Sequence, residues 1–319
     1  MPTIVEPDSE RNYVTVLADR SNADIASVDR TMVVERYKIH GAILFRGFEL
    51  DLASLNSFTS KFCSGFLSND SGGREFVSRD YRTQTVNLGR EAFPLHSELS
   101  IAPTKPDIAW FMCVNAPHGG GETLICDGIP VVPALQPEVR ASLDRRSLLY
   151  TKWIPAPDLE QWFGTPEPND ELLAEASRRG PWLFAREGNA YRRSHIAPAL
   201  HKPMFSDRLA FGNFLLFARF GQNIRNFPTF DDGSEVPDAV CLDVKRVTDA
   251  LTVAHQWQRN DLLMLDNTRF MHGRNAIENP AQRIIWSQFG YVEFAPLSEA
   301  ERRTQPWRYR IGAPDPVTG

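Results

Sequence analysis

Apolar positions along this chain fall into short runs separated by polar and glycine-rich turns, a pattern that predicts many strands with a few helices between them. Residues 28–38 read as a helix, with Gly41 leaving it. AILF (42–45) is a buried strand. After a turn at 48–52, Leu55, Phe58 and Phe62 recur at helical spacing. LSNDSGGRE (67–75) reads as a loop, and 76–88 as a mixed stretch holding a strand and part of a pocket wall. PDIAWFMCV (106–114) predicts a strand buried on both faces. The turn APHGGG (116–121) leads to a second strand over 122–127, and strand, glycine turn, strand reads as a hairpin.

Residues 128–245 break that rhythm. Pro137 opens a helix running to about Arg145. SLLYTKW (147–153) reads as a strand. Asn169 caps a helix that begins with Asp170 and Glu171 and ends at Arg178-Arg179-Gly180. Short strands flank a turn at 187–189, and 201–237 is too rich in Phe, Pro and Gly to assign. The region reads as an insertion over the mouth of a strand-built core; the alternative is a second small domain. Asp238 then starts a helix whose stripe is Val240, Val244, Val247, Leu251 and Ala254. Strands at 262–265 and 283–291 bracket DNTRFMHGR (266–274).

Composition narrows the class. The 319 residues are 42% hydrophobic and 24% charged, with net charge −5. That is globular composition with no basic block, so nucleic-acid binding is not expected. No apolar run approaches the ~18 residues that span a bilayer, and the N-terminus lacks a signal-peptide core. Cys63, Cys113, Cys126 and Cys241 are scattered. Such spacing suits reduced thiols in a cytoplasmic protein.

The chemistry gathers around Phe93-Pro94-Leu95-His96-Ser97-Glu98-Leu99. In an extended strand, residues two apart project from one face, so His96 and Glu98 would stand side by side as two ligands of one metal. His272, placed by sequence at a strand end beside a glycine, is the candidate third ligand. Two histidines and a carboxylate on one face of iron(II) leave positions for substrate and O2. Arg283, inside a strand-built core, needs an anion, and Thr123 could donate a hydrogen bond to the same carboxylate.

Taken together, HSE (96–98), GGGET (119–123), LDNTRFMHGR (265–274) and Arg283 resemble the taurine dioxygenase (TauD/TfdA) superfamily of Fe(II)- and 2-oxoglutarate-dependent oxygenases. The resemblance covers roughly residues 30–295. It implies a mainly β fold with flanking helices: a double-stranded β-helix, or jelly roll, with core segments about 76–127 and 257–295. The large insertion at about 128–245 would cover the active-site mouth of one domain spanning 1–319. It implies His96, Glu98 and His272 as iron ligands, with Arg283 and Thr123 on the distal carboxylate of 2-oxoglutarate. The expected reaction oxidises an unactivated C–H bond, with succinate and CO2 as co-products.

Two departures refine the expectation. Many family members carry HxD where this chain has Glu98. The glutamate form, with FPLHSELS and SLLYTKW, resembles the branch that hydroxylates amino acids, free or carrier-bound, in antibiotic and non-ribosomal peptide pathways. A carboxylate here also argues against halogenation. Ser287 stands where taurine dioxygenase grips sulfonate with arginine, so a sulfonate substrate is not expected. Arg82, Asn87, Arg274 and Ser287 are the candidate substrate contacts. Desaturation, epoxidation or another oxidation of a small carboxylic acid is the alternative outcome. A cupin-like metal protein without oxygen chemistry is the rival class, disfavoured by Arg283 and Thr123. Whether the chain forms a homo-oligomer is left open.

Overall fold

The computed structural model describes residues 1–8, 10–80, 82–309, 311 and 312. Its centre is the strand Ile108–Asn115, hydrogen-bonded on one side to Leu262–Asp266 and on the other to Ile284–Val292, both antiparallel. This strand is buried on both faces for a visible reason. Ile108, Trp110 and Met112 face one apolar cluster, while Ala109, Phe111 and Cys113 face another. The period-two alternation of a strand thus feeds two cores at once.

Among the described residues the sheet around it has nine strands. Thr3–Val5, Val14–Leu17 and Ala42–Arg46 extend it beyond Leu262–Asp266, and Cys63–Leu67 and Ile311–Gly312 extend it beyond Ile284–Val292, with Gln84–Thr85 also pairing to that strand. A four-stranded sheet runs Val253–His255, Thr123–Asp127, Phe270–Arg274, Phe93–His96. One cluster holds Phe111 and Leu263 of the large sheet with Ile125 and Phe270 of the small one, so the two sheets pack face to face. The fold is a jelly roll with flanking helices, as the sequence led one to expect.

That arrangement corrects the hairpin reading. Ile108–Asn115 and Thr123–Asp127 do not pair; the glycine turn carries the chain from one sheet to the other. Antiparallel grammar is local, and a crossing between sheets has the same turn residues as a hairpin. The strand Cys63–Leu67 was not foreseen either, since its CSGFL lacks an alternating pattern.

The helices cover the outer faces. Arg30–His40 is capped by the Asp29 side chain and ends at Gly41 with φ +73°. Leu52–Thr59 buries Leu55 and Phe58; Phe62 lies beyond the helix but joins the same cluster. Asp238–Leu251 buries Val240, Val244 and Val247, each worth ~1.5–3 kcal/mol, in a cluster with Cys126 and Met271 of the small sheet. Ala254, expected on that stripe, lies instead in the following strand and is exposed. Between these elements, Leu183–Glu187, Ala190–Pro198, Ser147–Ile154 and Thr229–Phe230 form a third sheet. Trp162 and Trp182 pack beside it in a cluster of their own. No helix among the described residues is long and apolar enough to cross a membrane.

Candidate metal centre

His96 and His272 are direct partners in the register between Phe93–His96 and Phe270–Arg274. Facing residues on antiparallel strands bring their Cβ atoms to about 5 Å, and the two rings lie 4.6 Å apart, centroid to centroid. His272 sits in the middle of its strand, not at the turn the sequence suggested. Gly273 behind it is obligatory: a Cβ there would come within 2.5 Å of the Phe93 carbonyl oxygen.

Glu98 also departs from expectation. The strand ends at His96, and Glu98 lies in a turn before Leu99, whose φ is +51°. Its backbone is held by the Asn267 side-chain amide. Asn267 Oδ1 accepts from the Glu98 N–H (2.7 Å), and its Nδ2 donates to the Glu98 and Pro106 carbonyls (3.0 and 2.8 Å). This clamp, in place of strand geometry, brings Glu98 Oε2 to 3.2 Å from His272 Nε2 and 3.9 Å from His96 Nε2. Ligand atoms of all three residues lie within 4.8 Å of one another, and all three residues are buried. Asp266 accepts from the Thr268 N–H and hydroxyl and shapes the turn before His272.

The protonation pattern suits a cation. His96 Nδ1 donates to the Pro94 carbonyl (2.9 Å), which leaves the Nε2 lone pair facing the cluster. Burial, with His272 beside it, pushes His96 down to about 4, so the ring is neutral at pH 7. Burial opposes ionisation of Glu98, but Arg74, His272 and His96 outweigh it and hold the carboxyl well below its usual range. Glu98 Oε1 accepts from Asn69 and from Arg74 Nη2 (3.3 Å), whereas Oε2 is buried with no hydrogen-bond partner. An orphaned carboxylate oxygen between two imidazole nitrogens fits a divalent first-row metal such as iron(II).

Next to this cluster is a small pocket bordered by His272, Phe111, Thr123, Arg274 and Arg283. Arg283 Nε donates to the Gly121 carbonyl (2.7 Å) and Nη2 to Thr123 Oγ1 (3.3 Å). Gly121 has φ +70°, and a Cβ on it would meet Arg283 Cδ at 2.8 Å, so only glycine lets the turn lie against this side chain. Thr123 Oγ1 accepts a second bond from Trp257 Nε1 (3.0 Å). With both acceptor positions used, its own proton is left to donate elsewhere. Burial, reinforced by Arg274, lowers Arg283 to about 9. A desolvated guanidinium with only neutral partners is a place for a carboxylate.

The remaining candidates separate. Asn87 borders both this pocket and a larger cavity of about 860 Å³ lined by His96 and Glu98. Arg274 borders the small pocket, but its guanidinium donates to the carbonyls of Asn87, Gly89 and Glu91 and so ties down the chain before His96. Ser287 is buried behind the pocket, donating to the Gln84 carbonyl and accepting from Arg74. Arg82 is a correction: it pairs with Asp80 and Ser60 and lies over the Phe66 ring, lining neither cavity. The sequence reading missed Arg74, Asn69 and Trp257. An arginine after Gly-Gly in a polar loop has the signature of a solvated side chain, and nothing local distinguishes it.

Residues 128–245 contribute to the larger cavity. Thr151, Lys152 and Trp153 border it from the third sheet, and Phe214, Phe217 and Phe227 from the segment that follows. Phe217 also packs against His96, with ring centroids 5.1 Å apart.

Comparison with known proteins places these features. A family model described as taurine catabolism dioxygenase TauD, TfdA family, matches residues 14–287. A clavaminate synthase-like protein of Arabidopsis thaliana is 29% identical over 267 residues, covering 77% of this chain and 81% of that one. Dapdiamide synthesis protein DdaC of Enterobacter agglomerans is 23% identical over 269 residues, covering 75% and 79%. Among solved structures, PvcB of Pseudomonas aeruginosa, described as an Fe, alpha-ketoglutarate dependent oxygenase from an isonitrile synthetic pathway, superposes with a TM-score of 0.58 at 15% identity. That match covers 90% of this chain and 91% of PvcB.

Proposed function

This chain belongs to the TauD/TfdA family of dioxygenases, and we propose from that premise which of its residues carry the reaction and on what kind of molecule. It is an Fe(II)- and 2-oxoglutarate-dependent oxygenase. When bound, iron(II) and 2-oxoglutarate supply the activation of O2 and the oxidation of a C–H bond, with succinate and CO2 as co-products. In our reading His96, Glu98 and His272 hold the iron. Arg283 and the Thr123 hydroxyl hold the distal carboxylate of 2-oxoglutarate, and Trp257 fixes the direction in which that hydroxyl donates. Asn267 keeps Glu98 at the metal, and Arg74 keeps it ionised.

The observation that carries this reading is the juxtaposition of the orphaned Glu98 Oε2 with two imidazole nitrogens, one pocket away from a buried guanidinium. Residues 128–245 act as a lid on a single domain, because Phe217 and Trp153 close the wall of the cavity in front of the metal ligands. We place the enzyme in the cytoplasm; its described cysteines are free.

The substrate is a small molecule, an amino acid or an amino-acid-derived compound of secondary metabolism, and the favoured outcome is hydroxylation. Two things support this: the HxE form of the metal motif and the relatives named for dapdiamide synthesis and an isonitrile pathway. A carrier-tethered amino acid is the alternative form of the substrate. The test is anaerobic reconstitution with Fe(II) and 2-oxoglutarate, followed by admission of O2 with a panel of amino acids and N-acyl amino acids. A metal-to-ligand charge-transfer band and substrate-dependent succinate are expected. Failure of the pure protein to bind either iron or 2-oxoglutarate overturns the reading. Product mass separates gain of oxygen from loss of two hydrogens.

A further inference from the structure

Arg74 supports Glu98 but has no assigned part in holding substrate. It comes from the loop between Cys63–Leu67 and Gln84–Thr85, yet its side chain is only 7% exposed. Nη2 reaches Glu98 Oε1 (3.3 Å), Nη1 reaches Ser287 Oγ (3.2 Å), and the guanidinium lies over the Phe289 ring. Nε is buried with no hydrogen-bond partner. A guanidinium has five N–H donors, so most of this one's capacity is unspent. Arg74 borders both the small pocket and the larger cavity.

We propose that Arg74 is the anchor for an anionic group of the substrate, and that the cavity selects an acid with an apolar body and no free ammonium. The inference rests on the assignment of the metal and 2-oxoglutarate sites above. Under that assignment both ends of 2-oxoglutarate are served, the distal carboxylate by Arg283 and Thr123 and the 2-oxo acid end by the metal. Arg74 is ion-paired with Glu98, whose charge a bound metal would share, so the further anion for its unused donors is the substrate's own. Phe93, Phe214, Phe217, Phe227 and Trp153 also line the cavity, and an aromatic lining suits an apolar body. Glu98 is the one acid among the described residues lining the cavity, and it is committed to the metal. A substrate ammonium would find no carboxylate and would share the cavity with Lys152 and Arg74. Because Arg74 touches Glu98, an acid held there sets its neighbouring carbons beside the metal ligands, so oxidation falls close to the carboxylate.

The test uses the full chain loaded with Mn(II) and N-oxalylglycine, a redox-silent pair, and calorimetric titration. The probes are N-acetyl-phenylalanine and N-acetyl-leucine, each beside its C-terminal amide and its free amino acid. Wild type is expected to bind at least one N-acetyl acid about tenfold or more tightly than the matching amide and the matching free amino acid. Arg74→Gln should erase the preference for acid over amide, and Arg74→Lys should keep part of it, each variant being titrated at Mn(II) and N-oxalylglycine concentrations that load it fully, because Arg74 also touches Glu98. Amides binding as well as acids in wild type, or neither N-acetyl acid binding, overturns the proposal. So does an Arg74→Gln protein that keeps the acid preference, or one that loses N-oxalylglycine in place of it. Should wild type fail to load Mn(II) and N-oxalylglycine at all, the metal assignment falls and this inference with it; loading without acid preference sinks this inference alone.

Discussion

Trp257 Nε1 donates to Thr123 Oγ1 across 3.0 Å, and that one bond decides what the threonine hydroxyl can do. Arg283 takes the other acceptor position, so the hydroxyl proton is directed into the small pocket. Trp257→Phe removes the donor while keeping most of the packing. The hydroxyl is then free to rotate, and the expected outcome is a rise of about two- to tenfold in the 2-oxoglutarate Kd, the worth of one neutral hydrogen bond. Anaerobic titration of the charge-transfer band measures it. An unchanged Kd would remove Trp257 from the site.

Arg283→Gln should cost more. A charge-assisted bond to a carboxylate contributes ~1.5–3 kcal/mol, which is about 10- to 150-fold in Kd for 2-oxoglutarate. Metal uptake should persist, because Arg283 bonds to Gly121 and Thr123 and to none of the three candidate ligands. Parallel titrations with Mn(II) alone and with Mn(II) plus 2-oxoglutarate separate the two effects.

Metal removal should be visible in stability. Glu98 Oε2 is buried without a hydrogen-bond partner, beside two imidazole nitrogens, so a metal there satisfies an oxygen that nothing else does. Metal at 100 times its Kd adds about 2.7 kcal/mol by mass action. Calorimetry should therefore show a higher Tm with Fe(II) or Mn(II) than with chelator. His96→Ala and His272→Ala should each abolish that increment along with turnover, and a full metal-induced shift in either variant would strike it from the ligand set.

Asn267→Ala tests the clamp on Glu98. It leaves the Glu98 N–H and the Glu98 and Pro106 carbonyls without their partner. Three buried groups left unsatisfied should cost about 3 kcal/mol or more, and the metal Kd should rise along with the fall in Tm. A variant that lost stability but bound metal as wild type does would show that Glu98 is placed by other contacts.

Acid should destabilise the fold through histidines away from the metal. Burial holds His195 at about 4, and burial with Lys105 nearby holds His201 at about 4, against an ordinary value of 6.5. In that interval the unfolded chain binds more protons than the folded one. Their contribution is complete above 6.5 and is lost as pH falls from 6.5 toward about 4. Urea unfolding at stepped pH should show a shallower acid slope for His201→Gln than for wild type. Equal slopes would mean that His201 titrates normally.

What the sequence alone determined is the part of this protein that depends on local chemistry. The alternation in 108–115, the cap at Asn169, the stripe of the helix Asp238–Leu251 and the left-handed exit at Gly41 follow from side-chain period and backbone sterics. The motif around His96, with His272, Thr123 and Arg283, was legible because each residue type is chemically rare in an apolar setting. Tertiary structure decided the rest. Only sheet pairing could set His96 opposite His272, and only the Asn267 side chain could hold Glu98 beside them once the strand had ended. Only folding could show that the turn at 116–121 crosses between sheets, that Arg82 lies elsewhere and that Arg74 turns inward. Those outcomes rest on contacts between residues far apart in the chain, which no local period or propensity encodes.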